Sequence, residues 1–265
     1  MRKIVVTDLD GTLLDSRTYS FEAARPALKA LKRESIPLVL CTSKTCAEVE
    51  WWRAQLANQD PFIVENGGAV YIPRGYFPFS VPAALHRGDY EVIELGAPYQ
   101  VLLAALASAA QEAGCRVVGF HSLSVAEVSL RTHLPIHQAE LAKQREYDEP
   151  FEILNSGSHR LLEVIEKRGL RWTRGDRFYH LLGNNDKAEA VKRLSALYRK
   201  AFGELTVVAL GDSWNDVEFL KEAEVPVLVR SEYVDALQRA VPRSVVTRSP
   251  GPQGWNEAVL EAIAA

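Results

Sequence analysis

Lys3-Ile4-Val5-Val6-Thr7-Asp8-Leu9-Asp10-Gly11-Thr12-Leu13-Leu14 is the stretch whose reading decides the fold. Ile4, Val5 and Val6 form a β-branched run without polar alternation, which predicts a strand buried on both faces. Two carboxylates follow at i and i+2, and Gly11-Thr12 lets the chain turn. A strand that ends in acids places them at the carboxyl edge of a sheet, where open α/β sheets seat their ligands. If the period of two persists, Asp8 and Asp10 point the same way. Two explanations fit the bare pattern: an Asp-Gly turn held by its own acids, or carboxylates placed for chemistry.

The chemistry follows from residue type. A carboxylate can attack phosphorus and form an aspartyl-phosphate. A second carboxylate nearby can protonate a leaving alkoxide and later take a proton from water. Hard oxygens suit Mg²⁺, which neutralises nucleophile and phosphate together.

Bulk properties narrow the field. The chain has 265 residues, 47% hydrophobic and 25% charged, the profile of a globular protein of one large domain or two smaller ones. Its net charge of −3 offers no basic surface for nucleic acid or an anionic membrane. No apolar run approaches the roughly 18 residues of a membrane span. The first apolar run is too short for a signal peptide and ends in acids. Cys41, Cys46 and Cys115 have neither disulfide-framework nor zinc spacing, which fits a cytoplasmic protein. None of these features specifies an oligomeric state.

Outward from the opening strand, helical spacing covers 21–34, and a second apolar run over 36–41 ends in Thr42-Ser43-Lys44-Thr45. A hydroxyl there, on a neighbouring parallel strand, is placed to bind a phosphate oxygen beside Asp8; it equally suits the N-cap of a helix over 46–57. A third strand, 62–64, leads into Glu65-Asn66-Gly67-Gly68, where the glycines permit a sharp turn, and a hairpin arm over 69–73. Residues 74–82, rich in Gly, Pro and aromatics, read as a connector.

The rhythm then changes. A strand over 90–95 and an amphipathic helix over 99–113 precede a strand over 116–120 and helices over 124–131 and 135–146. A strand over 151–154, a helix over 161–167 and a hairpin over 170–182 follow, which is α+β material. The last segment returns to the opening style. A helix starts at Lys187, and a buried strand over 206–210 ends in Gly211-Asp212-Ser213-Trp214-Asn215-Asp216. Short strands at 226–229 and 244–247 and a helix over 255–263 close the chain. These shifts predict a core from 1–82 and 183–265 with an inserted domain at 83–182. The crossings near 71–82 and 182–185 carry Gly or Pro and suit hinges.

Asp8 and Asp10 end one strand, Asp212 and Asp216 follow another, and Lys187 opens the helix before it. Four carboxylates so placed repel and raise each other's pKa unless a cation joins them. The pattern therefore predicts Mg²⁺, with Lys187 screening the rest.

The chain resembles the haloacid dehalogenase superfamily of phosphatases over nearly its whole length. The resemblance rests on Asp8-Leu9-Asp10-Gly11-Thr12, on Thr42 or Ser43, on Lys187 and on Gly211-Asp212-Ser213-Trp214-Asn215-Asp216. It implies a Rossmann-like α/β core with a mainly parallel sheet and an inserted α+β cap. Asp8 is then the nucleophile and Asp10 the general acid/base. The Thr42 or Ser43 hydroxyl and Lys187 hold the phosphoryl group. Mg²⁺ is held by Asp8, the Asp10 backbone carbonyl and Asp212, with Asp216 near it or acting through water. The branch acting on sugar phosphates usually has glycine after the motif lysine; here it is Ala188.

Within that branch the chain is similar to the mannosyl-3-phosphoglycerate phosphatases. The similarity lies in Cys41-Thr42-Ser43-Lys44-Thr45, Glu65-Asn66-Gly67-Gly68, Arg145-Glu146-Tyr147-Asp148-Glu149-Pro150-Phe151 and Gly175-Asp176-Arg177-Phe178-Tyr179-His180-Leu181-Leu182-Gly183. Asp176 departs from the second glycine common there, and Asn184-Asn185-Asp186-Lys187 departs from Gly-Asn-Asp-Lys. The similarity implies a small phosphorylated glycoside as substrate, with Lys44, Arg145, Glu146 and His180 as binding residues. A cationic set of Arg131, Arg145, Arg168, Arg174, Arg177 and His180 suits a carboxylate, Arg through its bidentate geometry. Glu146 and Asp148 suit sugar hydroxyls. Sucrose- or trehalose-phosphate phosphatases and phosphohexomutases share the core chemistry. A non-catalytic sugar-phosphate-binding module would be expected to lack part of the acid–lysine set, which is complete here.

Overall fold

Alternation within the apolar runs builds the architecture. The computed structural model describes residues 2–156, 158–175 and 177–264. Its first part runs β1 (Arg2–Thr7), α1 (Arg25–Arg33), β2 (Leu38–Cys41), α2 (Cys46–Leu56), β3 (Phe62–Val64), β4 (Ala69–Pro73), β5 (Leu85–Arg87) and β6 (Tyr90–Glu94). The middle comprises α3 (Tyr99–Ala113), β7 (Val117–Gly119), α4 (Val125–Thr132), α5 (Ile136–Ala142), β8 (Asp148–Ile153), α6 (Ser158–Lys167), β9 (Arg171–Arg174) and β10 (Tyr179–Leu182). The last part holds α7 (Lys187–Phe202), β11 (Leu205–Gly211), α8 (Val217–Glu222), β12 (Val225–Arg230), α9 (Val234–Ala240), β13 (Val245–Pro250) and α10 (Gly251–Ala264).

Nine of these strands form one sheet in the order β13-β12-β11-β1-β2-β3-β4-β6-β5. β13 through β3 pair in parallel, while β4, β6 and β5 add an antiparallel edge. Both faces are covered, which explains the unbroken apolar runs. Ile4, Val6, Val39, Cys41, Val207 and Ala209 pack on one side with α7 and α8. Val5, Leu38, Leu40, Val208 and Leu210 pack on the other with α1, α2 and α10. β1 lies between β2 and β11, so the chain leaves on one side of it and returns on the other. That is a topological switch point, and the crevice at its carboxyl end is the natural ligand site.

The smaller antiparallel sheet, β7-β8-β10-β9, packs against α3 and α6 through Leu102, Leu106, Phe151, Leu161, Ile165 and Leu181. α4 and α5 build a second small core with Phe120 and Phe178.

Several boundaries differ from the sequence expectation for physical reasons. β5 and β6, inside the interval 83–182 expected for the inserted domain, belong to the large sheet, β6 pairing with β4 and β5 with β6. Val92 enters one face of the large core and Ile93 the other, so a half-exposed alternation became a strand of the large sheet, next to its β5 edge. The crossings consequently fall near Leu95–Pro98 and Gly183, where a Cβ on Gly183 would lie 2.6 Å from the Ala97 nitrogen. β8 starts at Asp148, three residues ahead of the expected strand. Pro150 lacks a donor but its carbonyl accepts the Phe120 N–H at 3.0 Å, so the strand tolerates it. α5 ends at Ala142, short of 146. The short β5 and α9 had no clear periodicity. In the expected hairpin, β9 and β10 pair antiparallel; Asp176 lies outside the described residues.

The turn after β3 is tightly seated. Gly67 has φ +86°, and a Cβ there would stand 2.1 Å from the Asp186 carbonyl oxygen. Gly67→Ala combines left-handed strain with a backbone clash, so it is expected to lower the unfolding free energy by about 2 kcal/mol or more. Urea denaturation of the variant checks this; a change under about 0.5 kcal/mol would contradict the packing described.

Candidate active site

β1 stops at Thr7, and the chain bends instead of keeping a period of two. Thr7 Oγ1 donates to the Asp8 carbonyl at 2.7 Å and accepts from Trp255 Nε1 at 2.9 Å, which pins the bend to α10. Gly11, at φ +80°, completes the turn against Asp212, whose Oδ2 would lie 2.5 Å from any Cβ at that position. The two acids therefore diverge. Asp8 accepts from Lys187 Nζ at 2.6 Å, and Asp10 pairs with Lys44 Nζ at 2.8 Å.

Lys187 is the first residue of α7, set by the Asp186 N-cap, whose side chain accepts from Glu189 N at 2.8 Å. It is 2% exposed and also donates to Asp216 Oδ1 at 2.7 Å. Burial alone would lower its pKa, but the Asp216 and Asp8 carboxylates outweigh that and raise it, so it carries its charge. Asp216 Oδ2 accepts from the N–H groups of Asp212 and Ser213 at 3.0 and 3.1 Å. Thr12 Oγ1 donates to Asp212 Oδ1 at 2.7 Å, so the opening motif also holds the late loop.

Asp8, Asp212 and Asp216 bring one carboxylate oxygen each within 4.8 Å of one another. Two buried carboxylates and one half-buried one thus gather about a single ammonium. Burial pushes Asp8 up to about 7, with Lys187 opposing and Asp216 adding to the rise. Burial, then Asp216 and Asp8, hold Asp212 well above the usual carboxylate range. Such a set is stabilised by a hard divalent cation with oxygen ligands. Asp10 Oδ1 is buried without a partner, an acceptor left over beside the same crevice. The side chain of Asp10 stands outside the three-carboxylate group.

At the end of β2, the cap of α2 is Thr45, in a reciprocal box with Glu48. The Thr42 and Ser43 hydroxyls are therefore not needed for capping. Thr42 is buried and its Oγ1 accepts from the Lys44 N–H at 3.3 Å, which leaves its own hydrogen for another acceptor. The Ser43 carbonyl accepts from Arg145 Nη1 at 2.7 Å.

The expected binding residues divide. Lys44 is buried between Asp10 and Glu48, the latter at 3.7 Å. Arg145 is buried and joins the lobes, reaching the Ser43 carbonyl and standing 4.0 Å from Glu48 and Asp148. His180 is buried with Nδ1 2.9 Å from Asp148 Oδ1. Glu146 instead lies at the surface, paired with Arg87 at 2.5 Å. Asp148, weighed for sugar hydroxyls, is fully buried and occupied by His180 and Asn66. Arg131 and Arg168 form exposed pairs with Glu152 and Glu112 away from the carboxylates.

The sequence left Asn66, Glu65 and Thr12 without roles. Glu65, fully buried, accepts from the N–H groups of Glu146 and Tyr147 across the seam, and burial pushes it up to about 8. The sequence signal was present in the Gly67-Gly68 pair: both glycines are needed because Asp186 and Tyr147 press against them.

A carboxylate held by a lysine, two further acids and a separate acid–lysine pair form a set suited to phosphoryl transfer. A family model described as haloacid dehalogenase-like hydrolase matches residues 5–80. A glucosyl-3-phosphoglycerate/mannosyl-3-phosphoglycerate phosphatase of Methanococcoides burtonii is 42% identical over 99% of this chain and 98% of its own. A mannosyl-3-phosphoglycerate phosphatase of Pyrococcus furiosus is 37% identical over 86% and 91%. The chain belongs to this family of haloacid dehalogenase-like phosphatases. A solved structure from Thermoplasma acidophilum shares the fold along both whole chains, with a TM-score of 0.71 at 17% identity.

The carboxylate cluster makes stability depend on pH when the protein is stripped of metal. Folded Asp8 keeps its proton up to about 7, whereas the unfolded side chain loses it near 3.8. The unfolded state therefore binds fewer protons in that window, and stability falls as pH rises through it and levels off above. In EDTA, Asp8→Asn is expected to recover on the order of a few kcal/mol at pH 7.5 and close to none at pH 4. Guanidinium titrations at the two pH values measure the difference; an unchanged slope would refute the assignment.

Proposed function

We propose that the chain hydrolyses 2-O-mannosyl-3-phosphoglycerate, and its glucosyl counterpart, to the free glycosylglycerate and phosphate. The observation that carries the chemistry is Asp8, buried 2.6 Å from the Lys187 ammonium within one group of three carboxylates. The names of the relatives supply the substrate class.

The residues take these roles. Lys187 holds Asp8 Oδ1, which leaves Oδ2 to attack phosphorus. Asp10 protonates the departing C3 alkoxide, so the P–O bond to glycerate breaks as the aspartyl-phosphate forms. Asp10 then takes a proton from water, which attacks phosphorus and frees Asp8 and phosphate. Thr42 and Ser43 donate to the phosphoryl oxygens, with Lys187 as the cation. Lys44 keeps Asp10 placed between these steps. Asp8, Asp212, Asp216 and the Asp10 carbonyl would hold Mg²⁺, which when bound offsets the charge of the phosphoryl group.

The lobe formed by residues 96–182 serves as a cap that excludes water and reads the leaving group. His180, its Nδ1 taken by Asp148, presents Nε2 to substrate oxygens, and Arg145 keeps the closed cap seated on Ser43. Cytoplasmic placement rests on the odd, unspaced cysteine complement. Among the described residues no helix is long and apolar enough to cross a membrane.

Phosphate release from mannosyl-3-phosphoglycerate is expected to require Mg²⁺ and to stop in EDTA. Asp8→Asn is expected to lower turnover at least about 10³-fold with a cooperative melt retained. Colorimetric phosphate assays on both glycosyl substrates read this; turnover by the variant within tenfold of the native enzyme would exclude the nucleophile.

A further inference from the structure

Asn66 sits where four segments meet. Its N–H donates to the Thr42 carbonyl at 3.0 Å, and its own carbonyl accepts from Asn185 Nδ2 at 3.3 Å, two residues before Lys187. Its side chain donates through Nδ2 to Asp148 Oδ2 at 2.7 Å and accepts through Oδ1 from Asn215 Nδ2 at 3.0 Å. It is 2% exposed and held at φ +55°, a conformation asparagine tolerates better than most residues. It thus joins the end of β2, the approach to α7, the Asp212–Asp216 loop and the His180–Asp148 pair of the cap.

The chain of bonds has a direction fixed by chemistry. An ionised carboxylate only accepts, so Asp148 obliges Asn66 to offer its amide hydrogens. Asn66 then turns its oxygen to Asn215, which must offer hydrogens in turn and present its own oxygen to Ser213. The Ser213 hydroxyl donates to that oxygen, although Asp216 Oδ2 lies 3.1 Å from the same Oγ. One hydroxyl hydrogen cannot serve both acceptors fully. With the cap carboxylate seated, the hydrogen is drawn toward Asn215, and Asp216 keeps more of its electron density for Lys187 and a cation. With that carboxylate gone, both amides can turn over, Asn215 offers hydrogens to Ser213, and the hydroxyl passes its hydrogen to Asp216.

We propose that Asn66 is a positioning residue that couples the cap pair Asp148–His180 to the cation-holding loop, so that seating the cap strengthens cation binding in the core. This rests on the reading of the site given above. The coupling acts through orientation of amides, not through contact of Asn66 with substrate. It gives a reason for the Asp148 carboxylate, which a sugar cannot reach.

The test is a double-mutant cycle read by calorimetric titration of the EDTA-stripped, dialysed full-length protein with Mg²⁺, with no substrate present. Asp148→Asn keeps shape but removes the obligatory acceptor, and is expected to weaken Mg²⁺ binding at least threefold. In the Asn66→Ala background the same substitution is expected to change it less than 1.5-fold, because the path is already cut. Equal effects of Asp148→Asn in both backgrounds, or no effect in the native one, would overturn the proposal. Should Asn66→Ala lose its cooperative melt, Asn215→Ala breaks the same path from the core side and is read identically. A parallel assay of the native enzyme on mannosyl- and glucosyl-3-phosphoglycerate separates the two ideas: no phosphate release there refutes the substrate assignment and leaves the coupling decided by the titration.

Discussion

A lysine ammonium buried between two carboxylates is the constraint on which the rest depends. Lys187 bonds Asp8 and Asp216 at 2.6 and 2.7 Å with almost no access to water. An uncompensated charge at such depth would cost several kcal/mol. Loss of both partners would leave that penalty in full, so the first residue of α7 must meet the ends of β1 and β11 together. The parallel pairing of β1 with β11 delivers this geometry, because neighbouring parallel strands end on the same edge. The fold and the charge balance are in this sense one requirement. The surplus of carboxylate over ammonium is what suits the crevice to a cation.

Much of this was legible in the linear chain, and the reasons are specific. The buried parallel strands announced themselves through β-branched runs such as Ile4-Val5-Val6, since a strand covered on both faces needs no polar alternation. The acids stood out because each ended such a run. Helix starts were equally plain where polar residues preceded a periodic run, as before Cys46 and at Lys187. What the sequence did not disclose was direction after a bend. Asp8 and Asp10 share a period of two only if the strand continues, and Thr7 and Trp255 end it. Nor could it tell a strand of the large sheet's antiparallel end from the first strand of the cap: Val92 and Ile93 alternate alike in both settings.

The cap residues were the least legible for a different reason. Charged side chains look alike in a sequence whether they bind substrate, hold the seam or meet water. Arg145 and Glu146 are adjacent, yet one is buried against Ser43 and the other faces Arg87 at the surface. Asp148 and Glu149 are both fully buried, serving His180 on one face of β8 and His121 with Tyr99 on the other. Strand alternation separates them, but only once β8 is known to begin at Asp148. The Glu65-Asn66-Gly67-Gly68 turn shows the same limit: its glycines spoke of tight packing, while the partners lay some 80 to 120 positions away.

The two crossings between the lobes lie against each other, with Gly183 backed directly onto Ala97 and Gly96 onto Tyr147. Two tethers fastened at one point leave a moving body far fewer arrangements than one tether or two distant ones. As the proposed cap, the lobe would swing about that point with little room to slide or drift. The search for a closed pose would therefore be short, and little configurational entropy would be surrendered each time the lobes met. Binding free energy from a small substrate is then spent on its own orientation and not on reassembling the enzyme around it. A glycine pair with no chemistry of its own thus bears on how tightly a modest ligand can be held.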